Sequence, residues 1–210
     1  MIYQLVIAVT VPFSMFLIKD IKGLNNIPKK GAFILAANHE SYLDPILIPS
    51  VFAKHFKRKV HFLAKKELFE GIVGNIFESA TGGILLDRGK GGKTGLKNAL
   101  NALKEGKIIG IFPEGTRSLT GKIQRGKTGV ARLALWARVS VVPIGINGTF
   151  ELMPKGRTIP KLKKNVSFKI GKPLHFNKYY KRKTTKKLLR EITDKIMEEI
   201  ARLSKQKNSF

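Results

Sequence analysis

Residues 32–56 read AFILAANHESYLDPILIPSVFAKHF. Ala32–Ala36 is an unbroken apolar run of strand length, Asn38-His39-Glu40-Ser41-Tyr42 is a polar turn, and Leu43–Phe56 returns to apolar residues at helical spacing. A buried strand, a polar turn and a helix in direct succession form one unit of an α/β layer. The alternation recurs on both sides of this stretch. Val60–Leu63, Gly83–Leu86, Ile108–Phe112, Val141–Ile144 and Val166–Ile170 are further strands. Glu67–Ser79, Thr94–Lys104, Gly129–Arg138 and Lys183–Leu203 are further helices, the last carrying Leu189, Ile192, Ile196, Ile200 and Leu203 on one face. The expected fold class is therefore α/β: a mixed sheet flanked by helices, in a single domain with an N-terminal membrane-associated helix. A chain of 210 residues, 43% hydrophobic, is enough for one core and hardly two.

The N-terminal helix is read from Met1–Ile18, MIYQLVIAVTVPFSMFLI, which carries no charge. As a helix it extends about 27 Å, close to the roughly 30 Å hydrocarbon core of a bilayer. Pro12 kinks it, which suits a bend at the interface as well as a span. A signal peptide needs a basic stretch before the apolar run and a small-residue cleavage site after it, whereas here Lys19-Asp20-Ile21-Lys22 follows at once. Residues 1–20 are therefore expected to be a membrane-anchoring helix and 21–210 the globular domain, whose core pattern starts at Ala32. The flank of Lys19, Lys22, Lys29 and Lys30 puts that domain on the cytoplasmic side of the cell membrane.

With no cysteine in the chain, disulfides, thiolate metal sites and a cysteine nucleophile are excluded, and four scattered histidines give no basis for a metal site. The net charge of +26 draws the protein to polyanions. Leu152–Arg190 carries fourteen Lys or Arg and Pro45–Lys66 six, both without an acidic residue. A solvated surface accounts for any one lysine. Beside an apolar anchor, anionic membrane lipids are the natural partner of such one-sided charge, at roughly 1 kcal/mol per basic residue near the surface.

Two segments carry chemistry. In Asn38–Pro45, His39 leaves a buried strand and Asp44 opens the next helix. Five residues apart on one helix they would diverge by about 140°. With His39 in the turn, the Asp44 carboxylate can instead fold back onto one imidazole nitrogen and leave the other to accept a proton. In Ile111-Phe112-Pro113-Glu114-Gly115-Thr116-Arg117-Ser118 a strand again ends in a turn. Gly115 permits close approach there, Thr116 and Ser118 offer hydroxyls, and Arg117 presents a fork suited to phosphate. Open α/β sheets gather ligands at the carboxyl ends of strands, which is where both segments lie.

The pair NHxSxxD and FPEGTRS resembles the signature of the glycerolipid acyltransferases, specifically the 1-acylglycerol-3-phosphate (lysophosphatidic acid) acyltransferases. Two further blocks resemble theirs, Gly83–Arg88 (GILLDR) and Val141–Gly148 (VVPIGING), and the four together cover roughly Gly31 to Thr149. The resemblance implies transfer of a fatty acyl group from an acyl thioester, acyl-CoA or acyl carrier protein, to the sn-2 hydroxyl of lysophosphatidic acid. The product would be phosphatidic acid for phospholipid biosynthesis, with no cofactor and no metal. It implies His39 as general base oriented by Asp44, and Arg117 on the acceptor phosphate with Lys65 and Arg88 assisting. Glu114, Gly115 and Thr116 complete the acceptor site, Glu114 holding Arg117 or the glycerol. Residues 21–210 become the acyltransferase domain. Glu40 departs from the pattern, since a small or uncharged residue is commoner after the histidine. Another acceptor, glycerol 3-phosphate or a different lysolipid, is the near alternative.

Arg88-Gly89-Lys90-Gly91-Gly92-Lys93-Thr94 lacks the first glycine of a nucleotide-binding loop, that position being Asp87. Asn147-Gly148-Thr149 and Asn165-Val166-Ser167 match the glycosylation pattern, but a cytoplasmic body does not meet that machinery. Ser41 reads as a turn or cap residue and Trp136 as a packing residue. A membrane-tethered nucleic-acid-binding protein would explain the charge but not four ordered blocks, and aromatic residues are not interleaved with the basic runs.

Overall fold

The computed structural model describes residues 2–65, 83–86 and 93–206. Helix α1 (Ile2–Leu17) leads into strand β1 (Ile18–Lys22), then β2 (Phe33–Ala37), α2 (Asp44–Phe56), β3 (Val60–Lys65) and β4 (Ile84–Leu86). After these come α3 (Lys93–Lys104), β5 (Ile108–Ile111), α4 (Gly129–Ala137), β6 (Val141–Asn147), the single turn α5 (Thr149–Leu152), β7 (Val166–Ile170) and α6 (Lys186–Leu203). The strands form a seven-stranded sheet in the order β1-β7-β6-β2-β5-β3-β4. All neighbours are parallel except β6 and β7, so the sheet is mixed as expected.

Alternation along β2 shows how the layers are built. Phe33 and Leu35 face α1 and α2, in a core with Leu47, Val51, Phe52 and Phe62. Ile34 and Ala36 face α3, α4 and α6, in a core with Leu103, Val130, Ile192 and Ile196. All five β2 residues are buried, as a central parallel strand covered on both faces requires. Helix α6 starts three residues later than the periodicity suggested. The Thr185 hydroxyl accepts the Leu188 amide at 3.1 Å and caps it there.

Two expectations need correction. The core does not start at Ala32: Leu17 and Ile18 are buried in it, and β1 pairs with β7 from Ile18↔Val166 onward. A domain boundary at residue 20 therefore falls inside a strand. Ile18-Lys19-Asp20-Ile21-Lys22 read as a charged flank because this edge strand exposes Lys19 and Lys22 to solvent, with an irregularity in its pairing between Ile18 and Asp20. Trp136, expected to pack, is 44% exposed, with the Arg132 guanidinium 5.2 Å from its ring.

Helix α1 lies against α2, burying Val6 and Leu17 and packing Phe13 and Met15 on the core. Its other side leaves Leu5, Val9 and Phe16 exposed. No helix among the described residues is long and apolar enough to cross a membrane. The expected helix Glu67–Ser79, Arg88 and most of the basic loop that follows it lie outside the described residues.

Candidate active site

Asn38 fixes the turn that follows β2. Its Oδ1 accepts the Ile146 amide at 2.8 Å, and its Nδ2 donates to the Ile146 carbonyl at 2.9 Å, so the turn is tied to β6 through both halves of one amide. The His39 backbone is held from the other side. Its N–H donates to Glu114 Oε1 at 2.8 Å, and its carbonyl accepts the Ser118 amide at 2.8 Å. Because β6, β2 and β5 are adjacent and parallel, the segments leaving them meet at one end of the sheet.

The expected fold-back of Asp44 is present. His39 Nδ1 lies 2.9 Å from Asp44 Oδ2. That same oxygen accepts the amides of Glu40 and Ser41, each at 2.8 Å, and Asp44 is fully buried. An oxygen receiving two backbone donors is an acceptor, so Nδ1 carries the ring proton and Nε2 presents a lone pair. No hydrogen bond among the described residues engages Nε2.

Ring orientation depends on a contact the motif reading did not use. The imidazole stacks on Phe112 with centroids 3.9 Å apart and planes 12° apart, and Phe112 stacks on Phe62 at 5.1 Å. Phe62 can lie across β5 only because residue 110 is glycine. A Cβ there would sit 2.5 Å from the Phe62 ring. Phe62 and Gly110 carry no chemistry of their own, so only the tertiary arrangement reveals them.

Of the two partners expected for Glu114, Arg117 or the acceptor glycerol, Arg117 is not the one it holds. Its carboxylate is not paired with Arg117; Oε1 takes the His39 amide and Oε2 the Gln124 amide at 2.9 Å. It ties the His39 turn to the loop after β5. Burial raises its pKa to about 7 against these hydrogen bonds. Gly115 turns the chain at φ 71, a conformation that favours glycine, and the exposed Thr116 follows. The Arg117 guanidinium carbon lies 3.2 Å from the Tyr42 ring centroid, and Nη1 is buried without a hydrogen-bond partner among the described residues. A stacked guanidinium with an uncommitted donor is prepared for an anionic acceptor. Lys65 closes β3, but its side chain lies outside the described residues, as does Arg88.

Glu40, the departure from the motif, is 4% exposed. Its Oε1 accepts from Asn38 Nδ2 at 2.8 Å and from Gln206 Nε2, beyond the end of α6. Burial, and then the neighbouring Asp44 charge, raise its pKa to about 8, so it is a neutral acid at pH 7. Ser41 is a turn residue: its hydroxyl accepts the Leu43 amide and donates to the Met153 carbonyl at 2.8 Å. Among the described residues no three or more His, Asp or Glu side chains converge to hold a metal ion.

The acyltransferase family profile matches residues 19–147. A 1-acyl-sn-glycerol-3-phosphate acyltransferase of Bacillus subtilis is 31% identical over 71% of this chain and 70% of its own length. A chloroplastic 1-acyl-sn-glycerol-3-phosphate acyltransferase of Arabidopsis thaliana is 33% identical over 76% of this chain and 44% of its own length. Among solved structures, the 1-acyl-sn-glycerophosphate acyltransferase PlsC from Thermotoga maritima superposes with a TM-score of 0.70 at 26% identity, covering 99% of this chain and 81% of that one.

Proposed function

Since the chain belongs to the acyltransferase family, we propose that it transfers a fatty acyl group from an acyl thioester to the free hydroxyl of lysophosphatidic acid, giving phosphatidic acid. The observation that carries this reading is the His39–Asp44 pair, with Nδ1 committed, at the same strand ends as the Arg117 donor; neither His39 Nε2 nor Arg117 Nη1 has a hydrogen-bond partner among the described residues. Nε2 accepts the hydroxyl proton as the oxygen attacks the thioester carbonyl. The C–S bond then breaks, and the imidazolium returns the proton to the departing sulfur, so the thiol leaves neutral. A base so placed contributes roughly 10²–10⁴ in rate. Asp44 stabilises the imidazolium that forms between the two transfers, and Arg117 takes the acceptor phosphate. The donor is the acyl thioester of coenzyme A or of acyl carrier protein. The enzyme acts at the cytoplasmic face of the cell membrane, with the exposed side of α1, Leu5, Val9 and Phe16, lying in the lipid.

Purified protein given a thioester donor and, in turn, lysophosphatidic acid, glycerol 3-phosphate or lysophosphatidylcholine is expected to form product only from the first, by thin-layer separation. A folded His39→Ala protein is expected to lose turnover by about a hundredfold or more. Turnover close to wild type in that variant would falsify the mechanism, and product from a different acceptor alone would replace the substrate.

A further inference from the structure

Between α5 and β7 the chain runs through Met153–Asn165, MPKGRTIPKLKKN, with five basic residues and no acidic one. Two large apolar side chains of this segment stand in solvent, Ile159 at 73% exposure and Leu162 at 67%. The tip is held by its own backbone rather than by packing. The Lys161 amide donates to the Leu152 carbonyl at 2.9 Å, and the Arg157 amide to the Pro154 carbonyl at 3.1 Å. Both ends are tied to elements already described. The Met153 carbonyl accepts the Ser41 hydroxyl of the catalytic turn, and the Asn165 amide donates to the Leu17 carbonyl at the end of α1, at 3.1 Å.

Strand topology puts these ties on one side of the molecule. β6 runs toward the end of the sheet where His39 lies, and α5 follows it there. β7 is antiparallel to β6, with Asn147 opposite Ser167, so β7 begins at that same end. β1 is parallel to β7 and also begins there, which brings the exit of α1 beside it. A third exposed apolar residue, Leu119 at 71%, follows Ser118, whose amide holds the His39 carbonyl.

We propose that the Met153–Asn165 segment is a second membrane-contacting surface, separate from α1, which inserts Ile159 and Leu162 among the headgroups of an anionic bilayer and thereby sets the catalytic turn against the lipid. Exposed aliphatic side chains set among lysines match an interface that is apolar below and anionic at its surface. A nucleic acid or an acidic protein would engage the lysines but leave two bare aliphatic residues without a reason. The functional relevance rests on the lysophosphatidic acid reading above, whereas lipid contact itself is measured without turnover.

The test uses the full chain and vesicles of phosphatidylcholine with and without phosphatidylglycerol. Ile159→Ser/Leu162→Ser is expected to weaken co-sedimentation with the anionic vesicles about tenfold, since interfacial binding needs buried apolar area together with attraction to anionic lipid. Its kcat/KM on a dispersed short-chain acceptor should stay at the wild-type value. As an independent readout, Ile159→Trp in a Trp136→Phe background should shift its emission to the blue on adding anionic vesicles and not on adding neutral ones. Unchanged sedimentation of the double variant, or no spectral shift, overturns the proposal. Equal loss of activity on dispersed and bilayer-resident acceptors assigns the segment to the substrate site instead. A rise in KM confined to an acyl carrier protein donor would make it a docking surface for that protein. Absence of turnover with every acceptor, together with the expected sedimentation and shift, would remove the acyltransfer reading and leave the lipid surface standing.

Discussion

Glu40→Gln replaces the buried carboxyl next in sequence to His39 by its neutral isostere. In the folded chain the Glu40 carboxyl keeps its proton up to about pH 8, against an ordinary value of 4.5, because it is buried and faces Asp44. The unfolded chain releases that proton near 4.5. Between these values the native state holds one proton more than the unfolded state, so stability is full below pH 4.5 and falls as pH rises toward 8. One proton corresponds to ~1.4 kcal/mol per pH unit, and over the whole interval to ~5 kcal/mol at most. The glutamine amide offers the same oxygen to Asn38 and Gln206 but has nothing to ionise. Urea unfolding of both proteins at about pH 5, 7 and 8.5 checks this. The two should be close in stability at the lowest pH and diverge as it rises, the variant being more stable by about 4–5 kcal/mol at the highest. Glu114, raised to about 7, contributes a fall of the same sign, and because its charge also helps to raise Glu40 the two titrations are linked and its contribution is reduced, not removed, in the difference. Parallel pH profiles would mean that Glu40 ionises freely, and the description of a neutral acid beside Asp44 would be wrong.

Arg117→Ala is expected to raise KM for the phosphorylated acceptor far more than KM for the donor; an equal rise in both would make Arg117 a structural residue. Gly110→Ala places a Cβ 2.5 Å from the Phe62 ring and should cost about 1–3 kcal/mol in thermal unfolding. It should also lower kcat with little change in KM, because the Phe62–Phe112–His39 stack is displaced; unaltered kcat would show that the stack does not orient the imidazole. Deleting residues 2–16 should destabilise the chain by uncovering α2, and should make vesicle binding sensitive to salt, since exposed charges are screened beyond about 10 Å at 0.1 M. Full-length protein should resist the same salt, and equal sensitivity of the two would remove α1 from the membrane.

The sequence by itself determined the layer class, the strands and helices around residues 32–56, and the pairing of His39 with Asp44. Buried parallel strands are continuous apolar runs, and an imidazole in a turn at a strand end with a carboxylate five residues on is read from residue types and short spacing. It also marked Arg117, because a guanidinium in a turn at a strand end presents a fork suited to an anion. Tertiary structure alone decided where β1 belongs. An edge strand with three charges in five residues has the composition of a linker, and only its pairing with β7 gives it a place. It alone assigned Glu114 to two backbone amides, since a carboxylate's partners there are main-chain groups that every residue carries. The Phe62–Phe112–His39 stack, the Gly110 gap beneath it and the Gln206 contact to Glu40 join residues far apart in the chain. Packing of this kind has no period and no spacing, and so it becomes visible only when the chain is folded.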